Sequence, residues 1–314
     1  MENMKEIKIF ALSQSKALGE NIAKELNLNL GNLILDKFSD GEMSPGFEES
    51  IRSRKIFIVG STHNSDSIVE LVLTVDAARR AGAKQINVVI PYYGYSRQDR
   101  KDKHRGAIGA GAIASVIEST GADTLMTIDL HASQIEGFFK MPVVHIQGKS
   151  VFIPCLKGII DDSWVICSPD AGGVTRASGF SQKLNIPLVV MNKRRDKPNS
   201  IASMELVGDV KGKKVMIVDD MVDTGGSLVK CADILIQKGA IGVSACISHG
   251  VLSGNAIEKI NKSCLTNLFI SDTLPIEGKL MGDTIKVFSS APMLAKVIAG
   301  ISRKVSVKQL TSDI

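Results

Sequence analysis

Residues 213–231 read KKVMIVDDMVDTGGSLVKC and combine an apolar run, a turn and a second apolar pattern. The apolar run Val215 to Val218 predicts a buried strand, and the apolar pattern that begins at Leu228 predicts a helix. The turn between them opens with two carboxylates, Asp219 and Asp220. In open α/β sheets, ligands bind outside the carboxyl ends of the strands, where this turn lies. The stretch therefore predicts an α/β fold with a ligand site at this strand end.

The same turn carries Gly225 and Gly226 directly before the predicted helix. Glycine-rich turns at helix N-termini present backbone N–H groups to anions such as phosphate. Ionised carboxylates only accept hydrogen bonds, so Asp219 and Asp220 suit a pair of hydroxyl groups. A ribose phosphate satisfies both halves of the turn. The alternative interpretation is an ordinary strand–loop–helix connection in which an aspartate caps the helix.

Predicted strands and helices alternate along the whole chain. Gly82, Gly121 and Gly239 each stand where a predicted helix ends and a strand follows. The strands are rich in Val and Ile without polar alternation, which is typical of parallel strands buried on both faces. With right-handed crossovers, this pattern predicts two similar doubly wound α/β domains with mainly parallel sheets.

The boundary between the domains is predicted in the segment 141–163, which mixes short apolar pieces with glycine and proline. At 314 residues the chain is long enough for two domains of ordinary size. We assign residues 1–148 to an N-terminal domain and residues 149–291 to a C-terminal domain. The C-terminal helical segment, 292–314, is expected to join the N-terminal domain.

The composition narrows the classes of partner. Lys and Arg number 38 against 33 Asp and Glu, and aromatic residues make up only 4% of the chain. This weak positive balance and the lack of stacking residues argue against a nucleic-acid partner. No stretch approaches the roughly 18 apolar residues of a membrane span, and no secretory leader is evident. Five widely spaced cysteines without a CxxC pair predict reduced thiols in a cytoplasmic protein.

A strongly charged loop, 91–106, follows the predicted strand 86–90. Seven residues between Arg97 and Arg105 are charged at neutral pH. A run of charge is most often a solvated surface loop. The position of this one at the end of a parallel strand favours a basic flap over a polyphosphate.

Two further strand ends carry residues suited to a metal or a phosphate. His131 follows the predicted strand 124–130, with Asp129 beside it. A structural histidine is the alternative there. Asp170 precedes two glycines and a helix start in the segment 168–176, which predicts a second anion-binding turn with a carboxylate available for a metal.

A basic cluster follows the predicted strand 187–191. Lys193, Arg194 and Arg195 stand at the strand end, where they are suited to stabilise negative charge developing on phosphorus. A solvated basic turn is the alternative.

Seven segments closely resemble, in order and spacing, the motifs of the ribose-phosphate pyrophosphokinase family. They are FSDGE (38–42), PYYGYSRQDRKDKHR (91–105), DLHASQIEGFF (129–139), SPDAGGVTR (168–176), NKRR (192–195), VDDMVDTGGS (218–227) and LSG (252–254). The resemblance covers nearly the whole chain and implies a phosphoribosyltransferase-like fold. The segment 218–227 alone also fits the wider phosphoribosyltransferase group.

The resemblance implies an activity and its requirements. Family members transfer the β,γ-diphosphate of ATP to the C1 hydroxyl of ribose 5-phosphate, giving 5-phosphoribosyl 1-diphosphate and AMP for nucleotide biosynthesis. It further implies Mg²⁺ as cofactor, a homo-oligomer (a hexamer), and neither a membrane nor a nucleic acid as partner. A catalytically silent, regulatory relative is one alternative, and a phosphoribosyltransferase that consumes the product is another.

The resemblance also implies four groups of site residues. The ribose 5-phosphate group is Asp219, Asp220, Asp223, Thr224, Gly225, Gly226 and Ser227. The ATP group is Phe38, Asp40, Glu42, Arg97, Gln98, Asp99, Lys101, Lys103 and Arg105. The magnesium-linked residues are His131 and Asp170, and the catalytic basic pair is Lys193 and Arg195. Residues Arg100 to Arg105 match a flexible loop that closes over the reacting phosphates.

Four residues depart from the family pattern. Gly111 replaces a lysine that many members carry, and Asn255 replaces a proline. Pro45 and Gly46 interrupt a segment that is strand-like in the family.

Overall fold

The computed structural model describes residues 6–101, 103–194, 203–276, 278–303, 305–306 and 309–310. The chain divides into two compact units. The N-terminal unit contains Met1–Gln147, Thr273–Pro275 and Ser289–Asp313, and the C-terminal unit contains Gly148–Asp272, Ile276–Phe288 and Ile314.

The N-terminal unit is built on a five-stranded parallel sheet. Its strands, in the order in which they lie side by side, are β1 (Ile7–Ala11), β4 (Lys55–Val59), β5 (Gln85–Ile90), β6 (Thr124–Ile128) and β7 (Val143–Ile146). Its helices are α1 (Lys16–Glu25), α2 (Ser65–Arg80), α3 (Gly109–Ser119) and α8 (Ala291–Ser302), of which α8 packs against α1. Strands β1, β4, β5 and β6 are buried along almost their whole length, as expected of a parallel sheet between layers of helix and loop, whereas the edge strand β7 is only partly buried.

The start of α2 shows how the sequence determines a helix boundary. Asn64 caps the helix, because its side chain accepts a 2.8 Å hydrogen bond from the Ser67 amide. The Ser67 hydroxyl in turn accepts a 3.1 Å bond from the Asn64 amide. This reciprocal pair satisfies two N–H groups that the first turn leaves without helical partners. The apolar face of the helix, which includes Leu71 and Val75, then packs into the core of the unit.

A two-stranded antiparallel hairpin, β2 (Leu33–Lys37) and β3 (Met43–Phe47), precedes β4. Pro45 and Gly46, which depart from the family pattern, lie within β3, opposite Leu35 and Ile34. The proline is tolerated because β3 pairs with β2 only, so its other edge needs no ladder donor among the described strands.

The C-terminal unit is built on a seven-stranded sheet. In spatial order its strands are β10 (Ser203–Val207), β9 (Leu188–Arg194), β8 (Trp164–Ser168), β11 (Lys214–Val222), β12 (Gly242–Gly250), β13 (Leu265–Ser271) and β14 (Ile285–Phe288). Only β10 runs antiparallel to its neighbour. Its helices are α4 (Lys149–Leu156), α5 (Val174–Leu184), α6 (Gly226–Gln237) and α7 (Ala256–Asn261).

The strand order of this sheet reverses between β8 and β11. From β8 the chain moves through α5 to β9 on one side, and later returns to β11 on the other side. The carboxyl ends of β8 and β11 therefore flank a topological switch point, which is the place where open α/β sheets bind ligands.

The predicted fold class is confirmed, since both units are α/β with mainly parallel sheets. Among the described residues, no helix is long and apolar enough to cross a membrane.

Two predicted strand ends were too early. β11 continues through Asp219 and Asp220 to Val222, because β12 extends beside it and pairs Asp219 with Ile247 and Val222 with Gly250. The predicted two-carboxylate turn is therefore strand.

The second early end is that of β9, which was expected to stop at Met191. It continues to Arg194 because β10 pairs antiparallel with its last residues, from Val190 opposite Val207 to Arg194 opposite Ser203. The predicted basic turn thus begins on a strand.

A close contact in the N-terminal unit yields a stability prediction. A Cβ at Gly94 would lie 1.8 Å from the carbonyl oxygen of Thr62, whose hydroxyl accepts the Gly94 amide at 2.9 Å. Gly94→Ala should cost about 2 kcal/mol, seen as a drop of roughly 5 °C in the thermal midpoint. Gly137→Ala is the control, because nothing lies within 4 Å of its added Cβ. Equal midpoints for the two variants would contradict the prediction.

Candidate active site

Two adjacent carboxylates lie at the switch point of the C-terminal unit. Asp219 and Asp220 occupy the last part of β11, after the pairing with β8 has ended at Ile217. The Asp220 side chain is buried, whereas that of Asp219 is 31% exposed. The Asp220 amide donates a 2.9 Å hydrogen bond to Asp219 Oδ1. Successive strand residues normally point to opposite faces, but here one cation reaches both carboxylates.

That cation is Arg176 on α5. Its Nη1 lies 3.6 Å from Asp219 Oδ1 and 3.5 Å from Asp220 Oδ1, and its side chain is only 16% exposed. Burial and the neighbouring charge of Asp220 raise the pKa of Asp219 well above its usual range, while Arg176 opposes the rise. One guanidinium thus faces two carboxylates. Groups that donate hydrogen bonds, such as vicinal hydroxyls, would relieve the repulsion between the two carboxylates when both are ionised.

Sequence reasoning assigned no role to Arg176, although the segment 168–176 was recognised. The position of α5 after β8 brings the arginine beside β11. Arg176 lies in the first turn of a helix that follows a glycine pair at a strand end. This position was the available signal in the sequence for a role in the site.

A short bend follows β11 and leads into α6. Asp223, Thr224 and Gly225 form the bend, and Gly225 takes a left-handed φ of +75° that a side chain would strain. The bend is held by the next loop, because the Leu252 amide donates to the Val222 carbonyl and the Ser253 amide to the Asp223 carbonyl, both at 3.0 Å.

The first turn of α6 follows this bend and is suited to bind an anion. The helix begins at Gly226, and Thr224, Gly226 and Ser227 are exposed. The first N–H groups of a helix have no intrahelical acceptor and lie at the positive end of the helix dipole. An anion of phosphate size can therefore be bound by the backbone here, within a few residues of the two carboxylates.

The turn after β8 is also a helix start. Asp170 Oδ1 accepts a 2.9 Å hydrogen bond from the Gly173 amide, and the Ser168 hydroxyl donates a 2.7 Å bond to the Asp170 carbonyl. The aspartate thus holds the turn before α5, which begins at Val174 after the N-cap residue Gly173. Its side chain is exposed, and a carboxylate has about four lone-pair sites, so this single bond leaves room for a cation.

Of the predicted catalytic pair, Lys193 lies in β9, opposite Met204 of β10. β9 is the neighbour of β8 on the side away from β11. Arg195 lies outside the described residues.

Three predicted nucleotide residues lie at the tip of the β2–β3 hairpin in the N-terminal unit. Phe38, Asp40 and Glu42 are all exposed, Phe38 to 61%. The tip is a tight turn in which the Phe38 amide donates to the Glu42 carbonyl at 2.8 Å. Asp40 Oδ1 accepts the Glu42 amide at 3.1 Å, and Gly41 takes a φ of +94°. An exposed aromatic ring on a rigid tip is suited to stack on a planar base.

Six residues of the predicted flap, 97–105, are predicted to bind the nucleotide. All of them are exposed except Asp99, which is half-buried. Two contacts anchor the beginning of the flap. The Ala110 amide at the start of α3 donates to the Gln98 carbonyl at 3.1 Å, and Gln134 Nε2 donates to Asp99 at 2.9 Å. The exposed residues are Arg97, Gln98, Lys101, Lys103 and Arg105.

His131 lies in the segment that follows β6. The strand ends at Ile128 rather than at the predicted Leu130, because Asp129 takes a left-handed φ of +45°. His131 itself is exposed. It belongs to the N-terminal unit, whereas Asp170 belongs to the C-terminal unit. Among the residues that the structure describes, no three His, Cys, Asp or Glu side chains form a metal-holding cluster.

Comparisons with known proteins identify the family of the chain. Residues 7–121 match the family described as the N-terminal domain of ribose phosphate pyrophosphokinase, and residues 167–312 match the phosphoribosyl synthetase-associated domain. The ribose-phosphate pyrophosphokinase of Caldanaerobacter subterraneus subsp. tengcongensis is 43% identical over 307 residues, which cover 97% of each chain. The chain belongs to the ribose-phosphate pyrophosphokinase family.

Two further relatives support this assignment. The ribose-phosphate pyrophosphokinase of Clostridium acetobutylicum is 43% identical over 313 residues, which cover 98% of each chain. The crystal structure of phosphoribosylpyrophosphate synthetase from Mycobacterium smegmatis superposes with a TM-score of 0.87 at 33% identity, covering 95% of this chain and 99% of that one. The matched regions therefore cover nearly the whole length of these relatives.

The carboxylate pair predicts a pH-dependent gain in stability when one charge is removed. Because the pKa of Asp219 is raised in the folded chain, its ionisation opposes folding. The cost is absent below about pH 4, the ordinary value for an aspartate, and is fully present above the raised pKa. Asp219→Asn should therefore raise the free energy of unfolding at neutral pH by about 1 kcal/mol, and by less in acid.

Urea unfolding at several pH values measures this effect. Asp162→Asn, an exposed aspartate of the same unit, is the control and should show no such gain. A gain for Asp219→Asn that does not depend on pH would contradict the electrostatic explanation.

Proposed function

We propose that this chain, as a ribose-phosphate pyrophosphokinase, transfers the β,γ-diphosphate of ATP to the C1 hydroxyl of ribose 5-phosphate. The observation that carries the proposal is the carboxylate pair beside a glycine bend and helix start at the switch point, in a chain that matches the family from end to end. The products are AMP and 5-phosphoribosyl 1-diphosphate.

The acceptor is proposed to bind at the end of β11. Asp219 and Asp220 accept hydrogen bonds from the 2- and 3-hydroxyls of the ribose, which relieves their mutual repulsion. The 5-phosphate binds at the start of α6, where Thr224, Gly226 and Ser227 are exposed. Asp223 and Gly225 shape the bend between the two halves of the acceptor.

The donor is proposed to bind residues of the N-terminal unit. Phe38 stacks on adenine, Asp40 and Glu42 line the side of the nucleoside, and the flap that begins at Arg97 contacts the phosphates. Cations exposed on a loop are suited to this task because they are available to phosphate oxygens. Closure of the flap excludes water, which would otherwise hydrolyse an activated diphosphate.

In the reaction, the C1 hydroxyl oxygen bonds to the β-phosphorus of ATP while the bridging bond between that phosphorus and the α-phosphate oxygen breaks. AMP leaves with the bridging oxygen, and the product phosphates hold the hydroxyl proton until the site opens to solvent. Positioning and charge stabilisation dominate such transfers. Lys193 and Arg195 are proposed to stabilise negative charge on the transferred group.

Mg²⁺ is proposed as the cofactor, with His131 and Asp170 as its protein contacts. The Asp170 carboxylate supplies an oxygen, the donor that Mg²⁺ prefers, and Mg²⁺ keeps several waters, so it needs only one or two protein ligands besides substrate phosphates. When bound, it would neutralise charge on the phosphates.

We propose a cytoplasmic homo-oligomer, a hexamer as the resemblance implies. All five cysteines are free, which suits a reducing compartment. Light scattering under assay conditions tests the assembly, and a stable monomer would contradict it.

The activity is tested by AMP formation from ATP. It should require both ribose 5-phosphate and Mg²⁺. A catalytically silent relative would form no AMP above background while correctly folded. A phosphoribosyltransferase would instead consume 5-phosphoribosyl 1-diphosphate in the presence of a base.

Lys193→Ala should lower kcat by at least about 100-fold and change the KM for ribose 5-phosphate much less. The reason is that a cation facing developing charge acts in the transition state more than in the ground state. Steady-state kinetics measure both constants. Lys238→Ala, at the exposed end of α6, is the control and should leave both unchanged. Equal losses in binding and turnover would mean that Lys193 acts in ground-state binding.

A further inference from the structure

His145 on β7 bridges two segments of the N-terminal unit. Its Nε2 lies 3.0 Å from the backbone nitrogen of Leu130, in the segment that follows β6. Its Nδ1 lies 2.6 Å from Glu136 Oε1, in the 3-10 helix Ser133–Phe138. The imidazole is only 14% exposed. None of the motifs found in the sequence includes this residue.

These two contacts determine the tautomer of His145. The Leu130 nitrogen is a donor, so Nε2 must accept and carries no hydrogen. A neutral imidazole then carries its hydrogen on Nδ1, which donates to Glu136. The carboxylate thus orients a ring whose other nitrogen holds a backbone N–H. This is the arrangement by which carboxylates commonly fix histidines around functional sites.

The segment that His145 holds has a costly conformation. Asp129 is a non-glycine residue with a φ of +45°, and both Asp129 and Leu130 are buried. Such a conformation persists only where surrounding contacts determine it. β7 supplies two of them, because the Asp129 amide donates to the Ile146 carbonyl at 2.9 Å and the Leu130 amide to His145. His131 follows directly and is exposed.

We propose that His145 and Glu136 are positioning residues that hold the segment 129–131 so that His131 is presented to the Mg²⁺–nucleotide. The proposal rests on the proposed function, which gives His131 its task. His145 contacts neither nucleotide nor metal in this scheme. It acts through the Leu130 amide, one residue away from the side chain that it positions.

Two variants distinguish the role of His145 as a hydrogen-bond acceptor from the role of its ring in packing. His145→Phe keeps the ring size but leaves the buried Leu130 amide without this acceptor. His145→Gln restores an acceptor oxygen near the position of Nε2. Hydrogen exchange followed by mass spectrometry should be about tenfold faster in the peptide covering 129–131 for His145→Phe, and close to that of the unmodified chain for His145→Gln.

Nucleotide binding supplies the second readout. Calorimetry with Mg²⁺ and α,β-methylene-ATP, whose α–β bridge cannot be cleaved, should show about tenfold weaker binding for His145→Phe. His145→Gln should bind as the unmodified chain does. The KM for ribose 5-phosphate should stay within about twofold in both variants, because the acceptor residues lie in the other unit.

Glu136 provides an independent arm if His145→Phe does not fold. Glu136→Gln still offers an oxygen to Nδ1 and should be neutral, whereas Glu136→Ala should weaken Mg²⁺–nucleotide binding. Unchanged exchange in His145→Phe would overturn the proposal. So would faster exchange with unchanged nucleotide binding, since the contact would then be structural only. Absence of AMP formation by the unmodified chain would sink the proposed function instead, and the exchange and calorimetry would still decide the role of His145.

Discussion

The repulsion between Asp219 and Asp220 is the constraint on which the C-terminal unit depends. Two adjacent carboxylates at a half-buried strand end oppose folding, and one guanidinium, that of Arg176, offsets part of that cost. The unit tolerates the rest of this free-energy cost because the preceding part of β11 is buried and is paired on both sides up to Ile217. A stable sheet therefore holds a destabilised end, which is the usual relation between a scaffold and its functional site.

The topology explains why these groups meet. β8 and β11 are parallel neighbours, and the strands that follow them in the chain, β9 and β12, lie on opposite sides of this pair. The turn of Asp170, the helix carrying Arg176 and the carboxylates of β11 therefore all lie at the same switch point. Each of α5 and α6 begins there after an N-cap glycine and presents the N–H groups of its first turn. The acceptor half of the proposed reaction is thus assembled by the fold of one unit.

The two units prepare their residues differently. In the C-terminal unit the side chains of Asp219, Asp220 and Arg176 are at least partly buried, and the arginine contacts both carboxylates. In the N-terminal unit the hairpin tip and most of the flap are exposed, and Gln134 anchors the base of the flap at Asp99. His131 is intermediate, because the exposed side chain follows a buried segment that His145 holds in place. An exposed flap with a fixed base is suited to close over a substrate once its phosphates arrive.

The alternation of strands and helices, the parallel sheets and the phosphate-suited turns were predictable from the sequence. These depend on local patterns, such as apolar runs, a glycine pair before a helix and carboxylates at a strand end. The ends of some strands and the contacts between side chains depend on partners distant in sequence, and only the folded chain showed them. β11 runs past its two carboxylates because β12 continues beside it, and β9 reaches Arg194 because β10 folds back on it. Arg176 faces Asp219, and His145 holds Leu130, only because neighbouring strands and helices bring them together. No local pattern encodes such contacts, since hydrogen bonds and ion pairs of this kind form only after the sheet has set the register of its strands.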